Sequence, residues 1–210
     1  MKHLIYLVMI LAIVSCSNDD SNSTASPAVP VATEATNISN SSFLANWNSA
    51  SNATEYRLQV ATETSFANPT TQTNLGGPTA VTQLNGNTEY FYRVSATNLN
   101  QNPSGYSNII NVITLPNAPI ALAGSDITEA SFQANWETVT GVTEYLLYVS
   151  QDNFTSSPPQ YVSGYDGIIV NSNSQMVSGL DSNSNYYFRL ESKVDSRISE
   201  PSNSELIQTL

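Results

Sequence analysis

Few side chains in this sequence are equipped for chemistry, and they are unevenly placed. Its 210 residues include one cysteine, Cys16, and one histidine, His3, both within the N-terminal stretch. Downstream of them no Ser-His-Asp or Cys-His arrangement is possible, and zinc sites built on His or Cys are excluded. Carboxylates remain, either for paired acid–base work as in glycosidases or as oxygen ligands for calcium. Asp126, Asp152 and Asp181 each fall in a predicted turn of the C-terminal half, and form a calcium candidate. Aspartate is also a common turn residue, and their spacing matches no recognised calcium loop. No catalytic residue and no cofactor are assigned, and the chain is expected not to be an enzyme. Three aromatics are candidate ligand contacts. Tyr106 follows the Asn-rich stretch Asn98 to Gly105, and Tyr161 and Tyr165 fall in a predicted middle loop of the C-terminal half. The latter pair would stack on a glycan or a protein, or cover a sheet edge, and the edge is the favoured reading.

Cys16 has a different chemistry in prospect. Lys2 supplies a positive start, Leu4 to Val14 are apolar throughout, and Ser15 is the small residue before the thiol. That layout reads as a secretory signal over residues 1–15. The run is shorter than the ~20 apolar residues of a membrane-spanning helix. Ile13-Val14-Ser15-Cys16 resembles the lipobox of bacterial lipoprotein precursors. The resemblance implies cleavage before Cys16 and acylation of its thiol and new amine. Two anchoring signals hold a protein to a membrane where one chain binds only marginally. The expected location is the cell envelope, lipid-anchored at the outer membrane and exposed at the surface.

Charge narrows the partners. The sequence has 17 Asp and Glu against 6 Lys and Arg, a net charge of −11. Such a surface repels phosphate backbones, and no basic stripe offsets it, so nucleic acid is excluded. Residues 16–29 are rich in Ser, Asn, Asp, Thr, Ala and Pro. With little to bury, they are read as the lipidated cysteine followed by a disordered tether.

The rest repeats itself. Phe43-Leu44-Ala45-Asn46-Trp47 returns as Phe132-Gln133-Ala134-Asn135-Trp136, and Thr54-Glu55-Tyr56 as Thr143-Glu144-Tyr145. Tyr90-Phe91-Tyr92-Arg93-Val94 returns as Tyr186-Tyr187-Phe188-Arg189-Leu190. A period of about 90 residues suits a whole small domain. Two domains are therefore expected, at 30–115 and 116–210. Within each, apolar residues alternate with polar ones: Phe43, Ala45 and Trp47; Tyr56, Leu58 and Val60; Tyr90, Tyr92, Val94 and Ala96. This period of two marks half-buried strands, about seven to a domain, and no helical stripe competes with it.

The ordered set resembles the fibronectin type III family. It comprises Trp47 and Trp136 ending the second strand, and Tyr56 and Tyr145 opening the third. Leu84 to Tyr90 and Leu180 to Tyr186 form the corner before the sixth. The resemblance covers residues 30–210 and implies an all-β chain of two tandem immunoglobulin-like (fibronectin type III) sandwiches after a signal and flexible tether. The proline often found in that corner is missing from both copies. The resemblance also implies corner tyrosines bonded back to nearby backbone. It places Asp126, Asp152 and Asp181 at one pole of the second domain. Leu115-Pro116-Asn117-Ala118-Pro119 forms a stiff join between the domains, faced by Gly141 and Asp195-Ser196-Arg197. The expected role is a non-catalytic, lipid-anchored envelope protein that binds a protein or acts as a surface spacer or adhesion module. The alternatives are a carbohydrate-binding accessory lipoprotein and a scaffold subunit of an envelope assembly.

Overall fold

The computed structural model describes residues 25–98 and 103–210. Cys16, the signal and most of the expected tether lie outside those residues. Each repeat folds as two antiparallel sheets face to face, and no helix occurs among the described residues. In the first domain β1 (Val31–Thr36), β2 (Phe43–Asn48) and β5 (Thr79–Val81) form one sheet in the order β1-β2-β5. The other runs β4-β3-β6-β7, from β3 (Glu55–Ala61), β4 (Thr70–Leu75), β6 (Glu89–Thr97) and β7 (Ile110–Ile113). The second domain repeats the plan. β8 (Ala121–Ser125), β9 (Ser131–Trp136) and β12 (Ser174–Ser178) form the small sheet. β10 (Glu144–Ser150), β11 (Tyr161–Val170), β13 (Asn185–Val194) and β15 (Glu205–Gln208) form the large one, with a two-residue β14 (Arg197–Ile198) also on β13. The alternation implies the strands, and this all-β pair of tandem immunoglobulin-like sandwiches is the fold the resemblance implies.

The alternating aromatics supply the core. Phe43, Trp47, Tyr56, Leu58, Tyr92 and Val94 are buried in the first domain, as are Phe132, Trp136, Tyr145, Leu147, Phe188 and Leu190 in the second. Trp47 lies 5.7 Å from Tyr56, and Trp136 lies 5.7 Å from Tyr145, between ring centroids. With no disulfide available, these rings provide the buried apolar area that each small sandwich needs. Both corner tyrosines bond back to the backbone. The Tyr90 hydroxyl accepts from the Asn85 amide at 2.9 Å, and the Tyr186 hydroxyl from the Asp181 amide at 2.8 Å.

Turns recur as faithfully as strands. Left-handed backbone occurs at Asn37, Asn52, Phe66, Gln83 and Asn87, and at their counterparts Asp126, Gly141, Phe154, Gly179 and Asn183. Asn, Asp and Gly tolerate that conformation, so the turn chemistry was present in the sequence. The two phenylalanines and Gln83 are the costly exceptions.

A second repeated device joins the sheets. Ser104-Gly105-Tyr106-Ser107-Asn108 corresponds to Ser199-Glu200-Pro201-Ser202-Asn203. The Ser107 and Ser202 hydroxyls accept from the Val94 and Leu190 amides, each at 3.0 Å. The Asn108 side chain accepts from the Ala32 amide and donates to its carbonyl, both at 3.0 Å. Asn203 does the same for Ala121 at 2.9 and 3.0 Å. A side-chain amide thus stands in for one strand residue.

Two expectations need correction. The stretch holding Tyr161 and Tyr165 is not a loop but the ten-residue edge strand β11. Its turn formers Gly164 and Gly167 sit at φ +82° and +104°, in a strand whose register shifts against β10, so they shape bulges rather than a reversal. The chain also meets the first domain before residue 30. The Asn98 side-chain amide donates to the Ala25 carbonyl, the Ala28 amide donates to the Ser51 carbonyl, and Pro27 is buried.

Candidate functional site

The three aspartates do lie at one end of the strand pattern, after β8, after β10 and before β13, but they do not build a metal site. Asp152 is committed to its own loop. It accepts from the hydroxyls of Ser150 and Ser156, and from the amides of Phe154 and Ser156 at 3.0 and 3.1 Å. Those donors favour the ionised form and hold the carboxyl well below the usual range, the two serine hydroxyls contributing most. Asp126 receives the Ser125 hydroxyl at 3.3 Å, and the Asp181 backbone serves the tyrosine corner. Among the described residues no group of three or more His, Cys, Asp or Glu converges to hold a metal. The calcium expectation for Asp126, Asp152 and Asp181 is therefore replaced by a loop-building role for Asp152. Short-range hydrogen bonding uses the lone pairs that a cation would need.

The aromatic candidates separate into two groups. Tyr106 and Tyr161 are the exposed members of two arginine–aromatic clusters on the outer face of the large sheets. In the first domain the Arg93 guanidinium lies 4.1 Å from the Phe66 ring centroid and 4.0 Å from that of Tyr106, with Nε donating to Gln59 at 3.0 Å. In the second domain Arg189 lies 4.1 Å from Phe154 and 5.8 Å from Tyr148. Tyr161 adds its ring 5.6 Å from Tyr148 and 6.3 Å from Phe154. The Tyr148 hydroxyl donates to Glu191 at 2.9 Å. Burial first, and that carboxylate second, push the phenol up to about 12. Gly167 makes room for this ring, since a Cβ there would stand 2.9 Å from Tyr148. Tyr106 in one cluster and Tyr161 in the other offer exposed rings suited to contact, while Phe66 is only 5% exposed.

Tyr165 is different. It is half-buried, packs on the core, and its hydroxyl accepts from the Ser178 amide at 3.0 Å. It bridges β11 of one sheet to β12 of the other and closes the flank of the second domain. Sequence reasoning missed Phe66, Phe154 and the stacking role of the paired arginines. The signal was available: a phenylalanine follows the third strand in both repeats, and Arg93 and Arg189 recur in a chain poor in cations.

Contacts cross the join where the linker loops were expected to face it. Arg197 Nη1 donates to Asn87 Oδ1 at 2.7 Å and to the Thr114 carbonyl at 3.2 Å. Asn40 Nδ2 donates to Asn117 Oδ1 at 3.0 Å. A Cβ on Gly141 would lie 3.4 Å from the Asn87 amide nitrogen. The second domain's turn at Asp195 to Arg197 therefore grips the first domain's corner.

No protein-family profile matches the chain, and no curated protein matches it. Among solved structures it is similar to the two-domain fibronectin type III segment of chicken tenascin. The identity there is 19%, over 88% of this chain and 100% of that one, with a TM-score of 0.48. It is also similar to the first three such domains of chicken CNTN1, at 16% identity over 88% of this chain and 66% of that one, with a TM-score of 0.43. At these identities the likeness concerns fold alone, and the sandwich assignment rests on the strand order β1-β2-β5 and β4-β3-β6-β7 and its repetition.

Proposed function

We propose that this chain is a non-catalytic, lipid-anchored protein of the cell envelope that carries a protein-binding surface on a stiff two-domain spacer. One observation carries the spacer reading: Arg197 of the second domain is bonded to both the side chain of Asn87 and the backbone of Thr114 in the first. A guanidinium holding two acceptors across a short proline-bearing join restricts bending. The polarity of the chain supports the anchor. Ala25 and Ala28 attach to the first domain beside Asn98 and Ser51, at the end away from the join. From Cys16 to Ala25 an extended chain reaches about 30 Å at most. The first domain thus stands near the membrane and the second projects outward. Its aromatic cluster around Tyr148, Phe154, Tyr161 and Arg189 is the proposed protein contact, since rings and arginine dominate protein interfaces.

Two measurements test the proposal. Mass spectrometry of protein extracted from native membranes is expected to show residue 16 as the N-terminus with acyl mass. A product retaining residues 1–15 would refute the anchor. Small-angle scattering is expected to show an extended particle whose conformational spread increases in Arg197→Ala. A compact folded-back pair, or no response to the substitution, would refute the spacer.

A further inference from the structure

The two domains differ at one flank, and the difference makes a cleft. In the second domain the gap between sheets is closed by Tyr165 and Ile168 of β11, both packed against the core. In the first domain β4 supplies Gln72 opposite Leu58, where β11 supplies Ile168 opposite Leu147. Thr70 pairs with Val60, on the stretch where the second domain carries Tyr165. The first flank is therefore open, and a cleft of about 260 Å³ enters between β4 and β5. Val60, Val81 and Leu84 form its apolar wall, and Thr62, Asn68, Thr70, Gln72, Thr82 and Gln83 bring polar side chains, beside Tyr90, whose hydroxyl the corner already uses. Among the described residues none of those six side chains hydrogen-bonds to another residue, and no charged residue lines the cleft.

Gln83 marks the cleft as more than missing packing. It sits at φ +62°, just before the corner leucine, where the second domain has Gly179 at φ +79°. The turn needs left-handed backbone, which glycine supplies without strain. The first domain instead holds a strained glutamine that lines the cleft. Strain of this kind persists where a side chain is needed and clusters at ligand sites.

We propose that this cleft binds a single neutral sugar ring. Amides and hydroxyls both donate and accept, which matches vicinal sugar hydroxyls. The valine and leucine wall suits the C–H face of a ring. Without a charged group the cleft does not select an anion or a cation. Its volume lies just below the roughly 300–1,000 Å³ of drug-sized ligand sites, which fits one ring rather than a long chain. The site adds a ligand to the spacer reading without resting on it, since neither the anchor nor the join contributes a residue.

Saturation-transfer NMR on the full chain in detergent tests the site, with glucose, galactose, mannose, N-acetylglucosamine and glucuronate as separate probes. At least one neutral sugar is expected to receive transfer, and glucuronate is not. Gln83→Gly is expected to weaken binding about tenfold, the worth of one lost hydrogen bond, while leaving the thermal midpoint equal or higher. Thr70→Tyr, which copies the closed flank, is expected to abolish binding, and Met176→Ala, at an exposed position of β12 in the second domain, to leave it unchanged. Absence of transfer from every neutral sugar would overturn the proposal. So would preference for glucuronate, binding as tight in Gln83→Gly as in the unaltered protein, or binding that survives Thr70→Tyr.

Discussion

Replacing Asn203 with alanine removes one donor and one acceptor from the seam between the sheets of the second domain. The side chain bonds the Ala121 amide and carbonyl at 2.9 and 3.0 Å. Each such bond is worth about 1 kcal/mol net, and a buried group left without a partner costs more. Ala121 is only 3% exposed, but Asn203 lies at the surface, so water partly replaces the lost side chain. The expected loss is about 2 kcal/mol, or roughly 8–16 °C in Tm for a domain of this size. The protein has two tryptophans, one to a domain. In a Trp47→Phe background, fluorescence from Trp136 therefore follows unfolding of the second domain alone. Urea titration is expected to move the midpoint and leave the slope m unchanged. Asn108→Ala in a Trp136→Phe background is the mirror experiment, because Asn108 makes the same pair of bonds to Ala32. If both substitutions cost less than about 0.5 kcal/mol, the size of a neutral surface change, the amide bridge does not hold the sheets together.

Three further outcomes are expected. Tyr186→Phe and Tyr90→Phe each delete the hydroxyl that accepts a corner amide, and each is expected to cost about 1 kcal/mol in the same urea assay. Serine hydroxyls and loop amides depress the Asp152 carboxyl in the fold. The stability it contributes is therefore present above the ordinary aspartate pKa of about 3.9 and is lost as pH falls through the lower folded value. The urea midpoint of the second domain should drop on acidification below about pH 4, and Asp152→Asn should lower it at neutral pH and flatten that drop. The Tyr148 phenol is pushed up to about 12; its share of stability is present below the ordinary tyrosine pKa of about 10 and is lost as pH rises through the folded value. Ultraviolet titration should show Tyr148 among the late phenols, and Glu191→Gln should bring it down only part of the way, because burial remains the larger cause.

What the sequence disclosed and what it hid divide along contact range. Alternation put Trp47, Tyr56, Tyr92 and their counterparts inside, because a strand's facing is set by its neighbours two positions away. The corner tyrosines reach only five residues back, so they too were legible. The Ser-x-x-Ser-Asn device was not, because Asn108 and Asn203 bond to strands 76 and 82 residues away. The arginine stacks were missed for a related reason: Phe66 and Phe154 meet Arg93 and Arg189 only after the third and sixth strands pair. β11 was misread as a loop because Gly164, Asp166 and Gly167 are turn formers when judged locally. A neighbouring strand turns them into bulges.

Two copies of one fold in a single chain also separate what the sandwich requires from what one copy adds. Left-handed Asn87 matches Asn183, Asn108 matches Asn203, and Tyr90 matches Tyr186, and each pair performs the same bond twice. These positions answer to folding. Gln72 against Ile168, and Gln83 against Gly179, break the match in one direction: an apolar or unstrained residue in the second domain is replaced by an amide in the first. Loss of packing alone would leave a hole lined by the original apolar walls. Amides at both positions line one cleft where water reaches them, Gln83 being exposed and Gln72 half-buried. Water answers their hydrogen-bonding capacity in the free protein, and a ligand rich in hydroxyls can take its place; the glutamine held where glycine folds more easily is the feature that points to such a ligand.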